Sequence, residues 1–569
     1  MRTTKGFAIT GIIYGMFLLF IVILIGNLTT DLMINRLNKG EAEAGMAALN
    51  CEVWNVRQLD NMRRQLCDEY ILMRDLTVPA NWIPIGTTQD PFRKSFRSVD
   101  GETHTITFQG AQQGGLFGIV RNVDLENRSR YTWIRDININ SSIEGNSSTV
   151  GLLAGTVRGN VEIKNITVLG TLAGASNVGG LVGGVSRYEH RDMDSPTCVI
   201  VCDNINNPTP QQQQECLAAG EGEIDRQTCP YTWFVPRIDN VVSNVNVSAT
   251  GIAGGLFGIS SGTVSNAIAK GSVTSTGNTV GGFAGQVGGG NITNAFSSGN
   301  VTGNNIVGGF AGQVGGGNIT NVCATGDVTV TIQPNPNVVL GVMAGGFAGA
   351  TGGTIEASCA TGSVTGHGSV ITLTSRASLR GTGGFVGYNA ATIRNSFATG
   401  AVEMLSGSDI GGFAGQTMGS TIQNSFSRSI ITTPNSSSRV GGFIGTTNSV
   451  SAVNTTPTTH LTNVYHAGSM SGTLTNDRRP GVHTWEWNRG TATGSFFNSD
   501  INGVFTTDAR FSPLTSAQMR TQSSFTGWNF TNIWMMPPNN SVNDGFPCLR
   551  GVGTIIINGE TVLDFGCNP

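Results

Sequence analysis

The sequence predicts an all-β chain: a parallel β-solenoid of about ten coils, preceded by a single N-terminal transmembrane α-helix. Three observations carry this expectation. A glycine motif recurs ten times, with a minimum spacing of 27 residues. A second motif, with apolar residues two apart, follows in half of those units. Residues 6–30 carry no charge at all. The composition agrees, with 80 glycines in 569 residues and only 12% charged residues, about twice and half of average usage. Such a chain finds backbone order through pairing and stacking. The glycines follow no three-residue period, which excludes collagen. A formal net charge of −3 provides no field to release counterions from phosphate, so nucleic acid is not an expected partner.

Residues 1–50 come first. The stretch GFAITGIIYGMFLLFIVILIGNLTT is long enough to span a bilayer as a helix. Arg2 and Lys5 precede it, which places the bulk of the chain outside the cell. A secretory signal peptide is the competing reading. Its apolar core is usually shorter, and the A-x-A sequence at 42–44 lies too far downstream for cleavage. Lys5-Gly6-Phe7 followed at once by an apolar helix resembles the N-terminus of type IV prepilins and pseudopilins. That resemblance implies cleavage between Gly6 and Phe7, with pilin-like subunits as partners. The family's glutamate at the fifth mature position is here Gly11. A simple membrane anchor is the alternative. Either way the membrane is a partner through this helix.

Residues 51–113 are expected as a helical lead-in and cap, and 114–470 as the solenoid. GGLFG at 114–118, GGLVG at 179–183, GGFAG at 281–285 and at 308–312, and GGFIG at 441–445 are copies of the first motif. ITNAFSSGNV at 292–301 and ITNVCATGDV at 319–328 show the second. Ile292, Asn294 and Phe296 alternate, so they are expected on one inward strand face. A 27-residue unit holds roughly three short strands and their turns, which is one coil. A coil cannot bury its own apolar face and stacks on the next at about 4.8 Å. Phe283, Phe310, Phe347, Phe385, Phe413 and Phe443 are then an internal aromatic ladder. Asn165, Asn240, Asn266, Asn294, Asn321, Asn395, Asn424 and Asn463 are an amide ladder.

These motifs resemble the GLUG repeat of large bacterial surface proteins. The resemblance extends to Trp54, Asn81-Trp82-Ile83-Pro84-Ile85-Gly86, Phe96 and His104-Thr105-Ile106. It continues through Leu514–Met519, Phe525-Thr526-Gly527-Trp528 and Asn543-Asp544-Gly545-Phe546-Pro547. It implies a right-handed solenoid displayed at the cell surface, associated with adhesion and with no chemistry of its own. The metalloprotease that some long members carry needs H-E-x-x-H, which this sequence lacks.

Ten cysteines fit an oxidising exterior. Cys51 and Cys67 flank one segment, and Cys548 and Cys567 close the chain. Cys198, Cys202, Cys216 and Cys229 crowd an insertion at 187–236. Zinc competes there, but no paired C-x2-C knuckle exists, which favours two disulfides. Cys323 and Cys359 take the place of Phe296 and Phe397 in adjacent coils. They are expected inward, as a disulfide or as free thiols.

No carboxylate pair recurs at equivalent positions in adjacent coils, and the six histidines are scattered. The chain is therefore expected to be no enzyme and to hold no metal or cofactor. Contact surfaces are expected where the repeat is interrupted. The interruptions are 187–236 with Tyr231 and Trp233, 330–343, 369–382, and 472–498 with Trp485 and Trp487. The last opens a C-terminal region, 471–569, expected as insertion and cap. Amphipathic aromatics suit a glycan or protein ligand.

Overall fold

The computed structural model describes residues 51–567 except 126, 128, 145–147, 192–198, 203–221, 226–230, 333–341, 369–380, 405–408, 434–438, 448–457, 473–477, 480, 483–489 and 502–509. The apolar N-terminal segment, with Gly6, Phe7 and Gly11, lies outside the described residues. Among the described residues no helix is long and apolar enough to cross a membrane.

The chain winds into a β-solenoid with three sides, formed by one 27-stranded sheet and two ten-stranded sheets. One coil shows the plan. Asn291–Ser297 and Val301–Gly303 lie in the long sheet, Ile306–Gly308 in the second and Ala311–Val314 in the third. The next coil repeats it in parallel register, with Asn291 opposite Asn318, Ile292 opposite Ile319 and Phe296 opposite Cys323. The glycine pair closes the corner between the second and third sheets. A Cβ on Gly309 would stand 2.1 Å from the carbonyl oxygen of Gly346 in the next coil, so any side chain there would part the coils.

Two ladders run along the rod. Inside, Phe283, Phe310, Phe347, Phe385, Phe413 and Phe443 are fully buried. From Phe283 onward their centroids are 4.5, 5.1, 4.7, 4.8 and 4.9 Å apart. The asparagines form the second ladder. Asn294 donates to Asn266 at 2.6 Å, Asn321 to Asn294 at 3.1 Å and Asn424 to Asn395 at 3.1 Å. Acids interrupt the column, since Asn165, Asn266 and Asn395 donate to Asp136, Asp239 and Glu356.

The expected common inward face of Ile292, Asn294 and Phe296 fails at Asn294. Its φ is 53°, and every ladder asparagine shares this left-handed backbone. Asparagine tolerates that region better than other non-glycine residues. One residue in this conformation shifts the alternation by a step. Ile292 and Ala295 stay in the main core, while Phe296 enters a separate apolar cluster. Ile268, Phe296, Cys323, Cys359, Phe397, Phe426, Tyr465 and Phe496 therefore make a third ladder, pointing away from the coil interior. Cys323 and Cys359 are likewise not inward. They are bridged to each other between coils, with a Cα–Cα separation of 4.5 Å. Cys51–Cys67 and Cys548–Cys567 are the other disulfides seen among the described residues.

The C-terminal segment buries this outward ladder. Residues 514–567 run back along the flank of the rod as a brace. Met519, Phe525, Trp528, Trp534, Phe546, Leu549 and Ile555 pack on the ladder. The Tyr465 hydroxyl donates to the Pro547 carbonyl at 2.7 Å and accepts from Asn543 at 2.8 Å. Arg428 pairs with Asp544. The brace ends in the hairpin Ile555–Ile557 and Glu560–Leu563. There Asn294 donates to the Ile556 carbonyl at 2.5 Å, and Asn558 donates to Asn240 at 2.7 Å.

Stacking begins before the first glycine motif. Glu52–Val53, Glu69–Leu72, Ser95–Ser98 and Thr132–Ile143 pair in succession, all parallel. The helix here is limited to Val56–Asn61, where the Asn55 side chain caps the Gln58 amide at 3.0 Å.

Among the described residues, the imidazole of His466 sits in the coil interior. His466 follows Ser427 in its column, is itself followed by Phe497, and is fully buried. Burial lowers its pKa from 6.5 to about 4. The unfolded chain takes up this proton below about pH 6.5 and the folded chain does so only near pH 4. The stability tied to a neutral His466 is thus complete above pH 6.5 and lost as pH falls to 4, by roughly 3 kcal/mol. Thermal melts of the native chain and of His466→Gln should show a steeper acid slope in the native chain across this window. Equal slopes would remove His466 as the cause.

Candidate functional site

The insertion after the third-sheet strand Val182–Ser186 starts as a hairpin. Tyr188–Arg191 pairs antiparallel with Tyr231–Phe234, with Tyr188 opposite Phe234, Glu189 opposite Trp233 and Arg191 opposite Tyr231. Strand alternation gives the hairpin two unlike faces. Phe234, 1% exposed, packs with Tyr188 at a centroid distance of 6.3 Å, and the Arg158 guanidinium of the preceding coil lies 4.9 Å from the Tyr188 centroid. That face holds the hairpin onto the rod. The other face carries Tyr231 and Trp233, 57% and 38% exposed. Their rings meet edge to face at 5.8 Å.

Each ring is held by a cation. Arg187 lies 4.2 Å from the Trp233 centroid and Arg191 lies 5.4 Å from that of Tyr231. Arg191 also pairs with Glu189. Cation–π contacts of this kind fix a ring's orientation before any ligand arrives. The structure thus leaves two aromatic faces part-exposed on a short, antiparallel, anchored hairpin. Sequence reading found both rings and missed Arg187 and Arg191. The available signal was that these arginines stand four apart, a spacing that puts both on one face of an extended strand, as two apart does for the rings.

The other expected contact residues are placed unevenly. Trp485 and Trp487 lie outside the described residues, as do Cys198, Cys216 and Cys229. Cys202 ends the strand Val199–Cys202, which pairs with Gly222–Asp225. The interruptions at 330–343 and 369–382 are flanked by the same pairs of strands. Val328–Ile332 pairs with Val364–Gly368 before them, and Met343–Gly345 pairs with Gly381–Gly383 after them.

A cleft of about 490 Å³ opens near the N-terminal end of the rod, beside the third-sheet strand Phe117–Asn122. Arg64, Gln65, Asp90, Arg93, Lys94 and Arg130 line it, with residues 122–125. Arg93 pairs with Asp90 at 3.2 Å. Lys94 and Arg130 share Asp68, at 2.8 and 3.5 Å. Those two cations hold the Asp68 carboxyl below its usual range, with the Lys94 hydrogen bond the largest cause. Farther along the rod, Asp409 is buried but neutralised by Arg439, at 2.5 and 2.7 Å. His104 contacts Asp75 and Glu102 at 3.5 and 3.0 Å. Among the described residues no group of three or more His, Cys, Asp or Glu side chains is arranged to hold a metal ion.

Residues 378–403 match the family model described as the GLUG motif. That coil carries a GLUG motif. The matched stretch holds GGFVG at 383–387 and the strand residues Ile393 to Phe397, the pattern repeated by the coils stacked on either side. The chain is also 30% identical over 150 residues to halomucin of Haloquadratum walsbyi (strain DSM 16790 / HBSQ001). The alignment spans 23% of this chain and 2% of that relative. A crystal structure of a candidate immunoglobulin A1 protease from Bacteroides ovatus aligns over 88% of this chain and 91% of its own. Identity is 13% and the TM-score 0.26, too low to support an argument about either protein.

Proposed function

We propose that this GLUG-repeat chain is a surface-displayed adhesin or tip-type pilin-like protein, attaching to an extracellular glycan or protein through the hairpin at Tyr188–Phe234. The N-terminal apolar segment holds it in the membrane or in a pilus-like assembly. The solenoid projects the hairpin. The observation that carries this reading is the pairing of Tyr231 and Trp233 on the outer hairpin face, oriented by Arg187 and Arg191. Part-exposed, pre-oriented rings lose little side-chain entropy on binding and suit contact faces. The GLUG match and the resemblance to halomucin support a surface setting. The chain acts here as a binder and not as an enzyme. Asp409, a buried acid in the repeats, is bound by Arg439.

The test is attachment of beads carrying the purified chain to cells and extracellular matrix. Trp233→Ala and Tyr231→Ala should each cut attachment about tenfold, with an unchanged melting temperature. Unchanged attachment would leave the chain a passive spacer.

A further inference from the structure

The cleft and the aromatic hairpin belong to one corner of the rod. Phe117–Asn122, Ala154–Gly159 and Val182–Ser186 are successive strands of the third sheet. Residues 122–125 follow the first of these and line the cleft, and the hairpin follows the third. Two coil steps, about 10 Å, separate them. Arg121 and Arg158 face each other in register across the intervening step, and Arg158 also holds Tyr188 of the hairpin.

The cleft and the coil step beside it have an excess of positive charge. Arg64, Arg93, Lys94, Arg121, Arg130 and Arg158 are set against Asp68, Asp90 and Asp124, six cations to three carboxylates. Lys94 and Arg130 share one carboxylate, and Arg64 makes no ion pair among the described residues. The chain as a whole has a net charge of −3, so the excess is local. Like charges one coil apart repel by construction, and an anionic ligand would relieve that repulsion.

We infer that the cleft takes carboxylates of an acidic glycan whose sugar rings lie against Tyr231 and Trp233. This rests on reading the hairpin as the contact face. Arginine forks match carboxylates in two-point geometry, and the rings offer the apolar faces that sugars stack on. A nucleic acid fits less well. It presents charge evenly along its length, whereas the insertion at 187–236 has eight acids to three arginines. A ligand with its acid groups at the cleft and neutral ring faces toward the hairpin avoids that opposing charge.

The experiment compares an oligogalacturonate with its methyl ester, the same rings without charge, for binding to the full chain. The acid form should bind about tenfold tighter, the size of one charge-assisted hydrogen bond. That advantage should vanish in Arg64→Gln with Arg130→Gln, and in high salt. Trp233→Ala should weaken both forms alike. Circular dichroism of the double variant checks that it folds. Equal binding of acid and ester, with both lost in Trp233→Ala, would overturn the charge assignment and leave the hairpin reading standing. Binding of neither form, or equally tight binding of single-stranded DNA, would overturn the acidic-glycan assignment as well.

Discussion

Replacing Trp534 with alanine should release the brace and leave the coils standing. Trp534 is fully buried, 4.2 Å from Trp528 by ring centroids and 6.1 and 6.3 Å from Tyr465 and Phe426. Loss of a buried tryptophan costs about 3–5 kcal/mol. Its indole N–H is buried without an acceptor among the described residues, so the substitution also removes a penalty of about 1–3 kcal/mol. The ring still dominates, and Trp534→Phe should be milder because it keeps most of the packing while dropping the orphan donor. The readout is hydrogen exchange by residue. Amides of 514–567 and of the outward ladder around Tyr465 should exchange faster, while those around Phe310 stay protected. A uniform rise along the rod would show that the brace and the coils open together.

The second large effect concerns the inner ladder. Phe385 is stacked 4.7 Å from Phe347 and 4.8 Å from Phe413. Phe385→Ala should cost about 3–5 kcal/mol for the cavity. Each lost stacking contact adds about 0.5–1.5 kcal/mol. In a stacked array a weakened interface uncouples the units on either side. Here the brace touches both sides, from Ile268 to Phe496. Phe385→Ala alone should therefore lower a single melting transition. Combined with Trp534→Ala, it should split melting into two transitions. The coupling between the two sites is what a double-mutant cycle reads. Two transitions in Phe385→Ala alone would mean that the brace transmits little.

Much of the fold follows from spacing alone. The 27-residue repeat marks one coil, and like residues stack because successive coils are in parallel register. That reasoning placed Phe283 to Phe443 in the interior and the asparagines in a column. It failed at one residue per coil. Alternation assumes extended backbone throughout, and Asn294 is left-handed. The hint was the recurrence of asparagine, the residue most tolerant of that region after glycine, but the motif offers an amide ladder as a sufficient reason for it. Because of that one residue, Phe296 and Cys323 face the brace and not the core. The brace itself could not be read from spacing. Its residues pack on positions up to 318 places away in sequence, and no local pattern encodes such a distance. The candidate site divides in the same way. Tyr231 and Trp233 were visible as alternating aromatics. Arg187 and Arg191 lie about forty residues before them and meet them only when the hairpin closes.

The brace also acts as a ruler. It starts beside Phe496 and its tip is pinned to Asn240, eight coil steps away, about 38 Å. A gene duplication that added one coil between those points would lengthen the rod by about 4.8 Å and leave the hairpin at Asn558 short of its partner. Deletion of a coil would push the tip past it. Repeat number should drift little across this stretch as the lineage diverges. Among the described residues the brace ends at Asn240, and on its N-terminal side length is free of this constraint.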